Sequence, residues 1–375
     1  MKLLQLPQAL LPRLLLLLAF TLLLLLLIWV QVPTLGTLRL PVPVGAPRSL
    51  ITFQWEELDA GNPSILEETR GNQNVTPTPP PAPTPTPPPA PTPTRHPLQP
   101  PYPYPYRFLL NAPHKCKGEA PFLVMLVVSE PRDVTRRHAI RCTWGNESAV
   151  PGVSIRRLFL LGKPSPWSAP LRQALAQESM AHGDLLQQDF LDTYNNLTLK
   201  TLMGLEWVAR YCPSAHYVFK ADSDVFINVG YLVHRVLRPQ CPPRPNFATG
   251  YIYRNTGPIR WQNSKWYVPP ELYPNTTYPP YCGGPGYVLS GDLAVKVFAV
   301  AQTLQTVNME DVFVGLCLHA LGIPVTDSSW GLFNMYKVEY EPCHFAKLVL
   351  SHHYDPEELL RVWKDFQVAA AACPS

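Results

Sequence analysis

Residues 216–226 read His-Tyr-Val-Phe-Lys-Ala-Asp-Ser-Asp-Val-Phe, an apolar run that leads directly into two carboxylates. The pattern predicts a buried strand over His216 to Lys220, followed by a turn that carries Asp222 and Asp224. Carboxylates two positions apart after a strand can face one site, and their oxygens are ligands that Mn²⁺ and Mg²⁺ prefer. We therefore expect a metal site at this strand end, with a solvated surface turn as the alternative.

Apolar runs and helical patterns alternate on the amino-terminal side of this turn. Continuous apolar runs predict strands over Phe122 to Val128 and Ile155 to Leu161. This alternation predicts an α/β sheet with crossover connections, in which ligands bind at the carboxyl ends of the strands. The predicted helices are Arg132 to Trp144, Leu171 to His182 and Leu197 to Tyr211.

The pattern becomes irregular after Asn246, where Tyr, Pro and Gly are frequent. This composition predicts a substrate-binding half built from loops, interrupted by a buried helix over Glu310 to Leu321 that Gly322 ends. Asp311 lies in the first turn of that helix, where an acidic residue commonly does no more than complement the helix dipole. The functional alternative is a general base, whose pKa an apolar setting would raise.

Two further groups of residues have chemistry that fits a metal–diphosphate site. Ser351-His-His-Tyr354 offers an imidazole that can complete a manganese shell, although a packing histidine is the simpler reading of either one alone. Arg137 and Arg141 are four residues apart and share a helix face. They could hold a nucleotide phosphate or base, or form a salt-bridged face.

The first hundred residues differ in composition from the rest. An apolar run from Leu14 to Val30 follows Lys2 and Arg13, which predicts an uncleaved signal-anchor with a cytosolic amino terminus, over a cleavable signal peptide. Residues 31–106 are rich in Pro and Thr, which predicts an extended lumenal stem. The expected domains are a cytosolic tail (1–13), a transmembrane helix (14–30), the stem and a catalytic domain (107–375).

Cysteines and sequons agree with a secretory route. The eight cysteines form no CxxC pair and all follow the stem, so disulfides are expected rather than zinc ligands. The net charge of +4 among 375 residues has no long basic run, which argues against nucleic-acid binding. The four predicted glycosylation sites are Asn74, Asn146, Asn196 and Asn275.

Motifs from Tyr104 to about Trp363 together resemble the beta-1,3-glycosyltransferase family, and most closely its beta-1,3-galactosyltransferases. The motifs are Arg-His-Ala-Ile-Arg-Cys-Thr-Trp-Gly (137–145), Asp-Phe-Leu-Asp-Thr-Tyr (189–194), Ala-Asp-Ser-Asp (221–224), Lys-Trp-Tyr-Val-Pro-Pro (265–270), Gly-Tyr-Val-Leu-Ser-Gly-Asp (286–292) and Glu-Asp-Val (310–312). The resemblance implies a GT-A fold, which is a Rossmann-like α/β sandwich, in a Golgi membrane enzyme of type II topology. It also implies manganese and an inverting transfer of galactose from UDP-galactose to the 3-hydroxyl of a terminal N-acetylglucosamine.

The same resemblance implies a role for individual residues. Asp224 and His352 would be the metal ligands, and Asp311 the base. The residues implied to contact the nucleotide are Arg137, Arg141, Lys200, Asp222 and Ser223. His353 stands where the family has a different residue.

The chain also departs from the family pattern. Cys142 and Cys241 are additional cysteines that could pair with each other, and Cys317 could be a buried free thiol. Cys282-Gly-Gly-Pro-Gly286 replaces the usual Ser-Gly-Thr-Gly run. Two alternatives stay open: transfer of N-acetylglucosamine by the same machinery, and a non-catalytic glycan-binding relative.

Overall fold

The computed structural model describes residues 95–373. The predicted tail, anchor, most of the stem and the Asn74 sequon lie outside these residues. Within the described part, no helix is both long and apolar enough to cross a bilayer.

A seven-stranded mixed sheet forms the centre of the protein. The strands of the described part are β1 Phe108–Leu110, β2 Leu123–Val128, β3 Ile155–Lys163, β4 Leu185–Leu191, β5 Tyr217–Ala221, β6 Val225–Ile227, β7 Ala248–Tyr253, β8 Tyr281–Ser290 and β9 Leu350–His352. The order in the main sheet is β1-β4-β3-β2-β5-β8-β7. Strands β2 to β5 are parallel, while β1, β7 and β8 each run antiparallel to their neighbours. Strands β6 and β9 form a separate antiparallel pair.

Helices cover both faces of the sheet, and β2 shows why. Val124, Leu126 and Val128 point into one apolar core, and the alternate residues of β2 point into the other. The helices are α1 Val134–Cys142, α2 Ala169–His182, α3 Leu197–Tyr211, α4 Val229–Tyr231, α5 Gly291–Ala301, α6 Glu310–Ala320, α7 Pro342–Phe345 and α8 Pro356–Ala369, with a π-helical turn at Leu232–Leu237 after α4.

The predicted alternation of strands and helices is confirmed for the amino-terminal half. Each predicted strand and helix between Phe122 and Lys220 has an observed counterpart with ends that differ by at most two residues. The α/β class is therefore correct. Strand β4 was not predicted, because Leu185–Leu191 contains two glutamines and an aspartate within a short apolar pattern.

The prediction of a loop-built half after Asn246 is correct only in part. Residues 254–280 form loops that line the larger cavity, and the predicted helix ended by Gly322 is present as α6, but this half also contains two long strands. Strands β7 and β8 extend the main sheet, and β8 is ten residues long. Strand β8 was not predicted because glycine and proline are uncommon inside strands. Its glycines and Pro285 lie where the pairing with β7 jumps from Gly250–Tyr287 to Ile252–Cys282. A proline is tolerated at such a bulge. A Cβ at Gly286 would lie 2.4 Å from Leu350 Cδ1, so any larger residue there would displace the buried Leu350 side chain.

The packed part of the chain begins before residue 107, where the stem was predicted to end. Leu98, Tyr102 and Tyr106 pack against one of the two cores. The Thr306 hydroxyl donates to the carbonyl oxygen of Pro100 at 2.7 Å. These contacts make the last described residues of the predicted stem part of the folded body.

Two disulfides close loops of different length. Cys116–Cys212 joins residues 96 apart in sequence, and Cys343–Cys373 joins residues 30 apart. Cys142 and Cys241 are exposed and do not pair with each other, and Cys317 is a buried free thiol.

Removing Cys116–Cys212 should destabilise the protein more than removing Cys343–Cys373. The longer loop restricts the unfolded chain more, so Cys116→Ser/Cys212→Ser should lower the free energy of unfolding by about 1 kcal/mol more than Cys343→Ser/Cys373→Ser. Urea unfolding of the purified protein measures the difference, with Cys142→Ser as the control that removes an exposed, unpaired thiol. Equal losses in the two double variants would contradict the loop-length argument.

Candidate active site

Two adjoining cavities open at the carboxyl ends of the parallel strands. The larger has a volume of about 810 Å³ and the smaller about 580 Å³. Tyr194, Leu197, Asp222 and Asp224 line both of them. The pair lies where an α/β sheet is expected to bind ligands, beside the neighbouring ends of β2 and β5.

The turn between the cavities consists of Asp222, Ser223 and Asp224, between the end of β5 and the start of β6. Its backbone is fixed at both ends. The Asp222 amide donates to the Pro285 carbonyl at 3.0 Å, and the Tyr354 amide donates to the Asp224 carbonyl at 2.8 Å. Asp222 and Ser223 both line the smaller cavity. The predicted strand-then-turn geometry is confirmed.

Asp224 faces two imidazoles. Its Oδ1 lies 3.2 Å from His352 Nε2 and its Oδ2 lies 3.9 Å from His353 Nδ1. The His352 Nδ1 atom lies 3.2 Å from the Met335 carbonyl, which orients the ring so that Nε2 faces Asp224. The possible ligand atoms of these three residues lie within 4.8 Å of one another. A donor set of one carboxylate and imidazole nitrogen fits a divalent cation such as Mn²⁺.

Asp311 lines the larger cavity, so it shares a cavity with Asp224. Its Oδ2 accepts from the Gly284 amide at 3.0 Å, and its Oδ1 from the Val312 amide at 2.9 Å. Burial and the adjacent charge of Glu310 raise the pKa of Asp311 to about 6, against the opposing effects of the two amides and Lys220. A carboxylate with this pKa suits general-base catalysis near neutral pH.

A buried ion-pair network links the Asp222–Asp224 turn to the helix that carries Asp311. Lys220 Nζ donates to Asp222 Oδ1 at 2.8 Å and to the Gly284 carbonyl at 2.6 Å, and lies 3.1 Å from Glu310 Oε2. The Tyr287 hydroxyl donates to Glu310 Oε1 at 2.6 Å. Sequence reasoning gave Lys220 and Glu310 no role. The available signal was a lysine inside an apolar strand, which needs a buried counter-charge.

Lys200 lies in the wall of the smaller cavity. Its ammonium donates to the Ser129 carbonyl and to Asp192 Oδ1, both at 2.8 Å. Burial lowers the pKa of Lys200, and the nearby carboxylates oppose this only in part. Lys200 thus holds the segments after β2 and β4 together. A direct contact with a nucleotide stays a prediction.

Arg137 and Arg141 line neither cavity. Arg137 is fully buried and forms an ion pair with Glu178 at 2.7 Å. It also donates to the carbonyl oxygens of Glu130 and Pro131, which supports the segment after β2 from behind. Arg141 bridges Glu178 and Asp184. This arrangement corresponds to the salt-bridged alternative and does not support the predicted nucleotide contact for either arginine.

The three described sequons differ in accessibility. Asn146 and Asn275 are exposed. Asn196 is half-buried, its side-chain amide donates to the Leu191 carbonyl at 2.8 Å, and Thr198 of the same sequon is buried. Asn146 and Asn275 therefore remain the better predicted glycosylation sites.

Aromatic residues line the larger cavity beside Asp311, and sequence reasoning did not select them. The aromatic residues are Tyr194, Tyr253, Trp266, Tyr278 and Tyr281. Asn308 adds a polar group, and its buried side-chain oxygen has no hydrogen-bond partner among the described residues. Aromatic rings with a few placed polar groups are typical of ligand sites.

Comparisons with known proteins show which family this chain belongs to. The galactosyltransferase family model matches residues 135–329. Human beta-1,3-galactosyltransferase 2 is 47% identical over 262 residues, which are 70% of this chain and 62% of that protein. Mouse beta-1,3-galactosyltransferase 1 is 44% identical over 258 residues, which are 69% of this chain and 78% of that protein. The chain belongs to the galactosyltransferase family. Within that family it is similar to the beta-1,3-galactosyltransferases.

Solved structures give a weaker comparison. A glycosyltransferase involved in glycosylation of the major capsid of PBCV-1 has a TM-score of 0.36 and 12% sequence identity, over 65% of this chain and 99% of that chain. A score at this level supports no conclusion about this protein.

The segment that matches human beta-1,3-galactosyltransferase 2 spans only 62% of that relative's length.

Replacing Arg141 should reduce stability and leave donor binding unchanged. Arg141→Met leaves Asp184 and Glu178 with fewer partners in a buried setting, so we expect a loss of about 3 kcal/mol in the free energy of unfolding. The KM for the sugar donor should stay the same, since Arg141 lines neither cavity. Arg210→Met removes an exposed arginine and is the control. A raised donor KM at unchanged stability would instead support a nucleotide contact.

Proposed function

We propose that the protein transfers galactose from UDP-galactose to the 3-hydroxyl of a terminal N-acetylglucosamine, with inversion, to give a beta-1,3 linkage. One observation carries the proposal: Asp224, with its neighbouring imidazoles, and Asp311 line one cavity in a member of the galactosyltransferase family. The similarity to beta-1,3-galactosyltransferases supports the donor and the linkage. The sheet order, with a ligand site at the ends of β2 and β5, is consistent with a GT-A fold.

The two cavities suit different parts of the reactants. We assign the nucleotide to the smaller cavity, which lies at the carboxyl ends of the parallel strands and includes Ser223 and Lys200. The galactose and the acceptor sugar would occupy the larger cavity, where tyrosine and tryptophan rings can pack against sugar rings. The diphosphate would then lie at the shared Asp222–Asp224 turn.

Asp224 and His352 would hold a divalent cation, which we take to be Mn²⁺. When bound, the cation supplies positive charge beside the diphosphate and stabilises the leaving UDP. Asp222 is held by Lys220, so it keeps its carboxylate at the edge of this site. Ser223 offers a hydroxyl to the nucleotide side.

Asp311 performs the proton transfer in this proposal. Its carboxylate accepts the proton of the acceptor 3-hydroxyl while that oxygen attacks the anomeric carbon, and the bond from that carbon to the UDP oxygen breaks. Attack opposite the leaving group inverts the configuration from alpha to beta. The amides of Gly284 and Val312 donate to the Asp311 carboxylate and hold it in one orientation. A base held in this way needs no rearrangement before it accepts the proton.

The cellular setting is part of the proposal. A signal-anchor over Leu14 to Val30 and a Pro-rich stem would hold the catalytic domain in the Golgi lumen. The two disulfides are consistent with an oxidising compartment.

Product analysis tests the proposed function directly. Purified protein is incubated with Mn²⁺, a GlcNAc-terminated acceptor and either UDP-galactose or UDP-N-acetylglucosamine. We expect transfer from UDP-galactose, with NMR of the product showing a beta linkage to the 3-hydroxyl. Transfer from UDP-N-acetylglucosamine alone would show that the donor is UDP-N-acetylglucosamine and not UDP-galactose. Absence of transfer from both donors would favour a glycan-binding relative.

Asp311→Asn should abolish most turnover without loss of UDP binding. The amide cannot accept the hydroxyl proton, so kcat should fall by about 10²- to 10⁴-fold. Initial rates and calorimetric titration with UDP and Mn²⁺ measure the two effects. Asp327→Asn, which changes an exposed carboxylate outside the larger cavity, is the matched control. Retained turnover in Asp311→Asn would remove this residue from the base role.

The rate should fall as pH drops below about 6, because protonated Asp311 cannot act as a base. Glu310, Lys220, Cys282 and the surrounding tyrosines are the titratable groups that face Asp311. Glu310→Gln removes the neighbouring negative charge, which lowers the pKa of Asp311 and should move the acidic limb of the kcat profile to lower pH.

The control for this shift is Tyr287→Phe, which removes the hydrogen bond to Glu310 without changing charge. It should leave the acidic limb near its original position. An acidic limb that moves to higher pH in Glu310→Gln would contradict the assignment.

A further inference from the structure

His353 is placed unusually for a residue that follows a strand. Strand β9 ends at His352, and adjacent residues of an extended chain normally point to opposite sides. His353 instead has a φ of +67°. This left-handed conformation turns its side chain back, so that the two imidazoles stack with ring centroids 3.8 Å apart and planes 19° apart. Both rings therefore lie on the side of Asp224.

The backbone on both sides of His353 is held by Asp224 and the strand that follows it. His352 pairs with Val225 in the β6–β9 ladder, and the Tyr354 amide donates to the Asp224 carbonyl at 2.8 Å. A positive φ is unfavourable for a non-glycine residue and persists where the surroundings impose it, often at functional sites. Histidine adopts a positive φ more readily than most non-glycine residues, and here the conformation brings the imidazole beside Asp224.

The donor atoms are close enough for one ion. His352 Nε2 faces Asp224 Oδ1 at 3.2 Å, while His353 Nδ1 faces Asp224 Oδ2 at 3.9 Å. Metal–ligand bonds of about 2.0–2.3 Å let a single cation bridge donor atoms up to about 4.5 Å apart. The nitrogen lone pairs of stacked imidazoles lie in parallel planes, so one ion can bind both rings only after the His353 ring turns out of the stack. The His353 side chain lines the larger cavity and is 61% exposed, which leaves room for this rotation.

We propose that His353 is a third protein ligand of the divalent cation, beside Asp224 and His352. The inference rests on the proposed metal site and adds a second imidazole to it. Imidazole nitrogen favours later transition metals, whereas oxygen ligands suit Mg²⁺ and Mn²⁺. His353 thus strengthens cation binding and shifts the preference of the site away from Mg²⁺ and towards Co²⁺.

The test measures Mn²⁺ binding in the presence of UDP, by electron paramagnetic resonance of free Mn²⁺. His353→Asn removes the imidazole and keeps a residue that tolerates a positive φ. We expect Mn²⁺ to bind roughly tenfold more weakly, and Co²⁺ to be weakened by a larger factor. Electron spin-echo spectra of bound Mn²⁺ should lose one of two imidazole nitrogen couplings. His319→Asn, an exposed histidine outside both cavities, should bind like the wild type.

Two results would overturn the proposal, and they differ in what else they affect. Unchanged Mn²⁺ affinity and an unchanged nitrogen coupling in His353→Asn, while Asp224→Ala loses binding, would remove His353 alone and leave the proposed metal site. Failure of the wild type to bind Mn²⁺ with UDP would overturn both the His353 assignment and the metal-dependent part of the proposed function.

Discussion

The ammonium group of Lys220 is the constraint on which the rest of the site depends. Burial alone would lower the pKa of Lys220, but the charges of Asp222 and Glu310 outweigh that effect and raise it. A buried ammonium group needs nearby counter-charges, and Asp222 and Glu310 each supply one. The two ion pairs of Lys220 therefore connect the Asp222–Asp224 turn to the start of α6, where Asp311 lies.

The antiparallel strand β8 carries the same coupling through its backbone. Its bulge presents the Gly284 carbonyl to Lys220, the Gly284 amide to Asp311 and the Pro285 carbonyl to the Asp222 amide. Three backbone contacts from two neighbouring residues thus connect the Asp222–Asp224 turn to Asp311. The Cys282–Gly286 segment, which departs from the usual family run, supplies this backbone, so Gly284 and Pro285 are part of the site.

A second layer of charge supports the wall of the smaller cavity from within the protein. Lys200 joins the segments after β2 and β4, and Arg137 holds the segment after β2 from the opposite side. The positive side chains that the sequence suggested as phosphate ligands instead form ion pairs with carboxylates inside the protein. A helix-face spacing predicts which residues are neighbours, but it does not show which face meets the cavity.

The sequence by itself determined the alternation of apolar strands and amphipathic helices, and the Asp-Ser-Asp turn at the end of β5. These features follow from local periodicity and from the family motifs. Tertiary structure alone decided that β8 joins the sheet despite Pro285, that Arg137 and Arg141 are internal, and that His352 and His353 face the same carboxylate. The physical reason is that burial, counter-charges and backbone conformation are set by residues distant in the chain, which no local pattern of residues records.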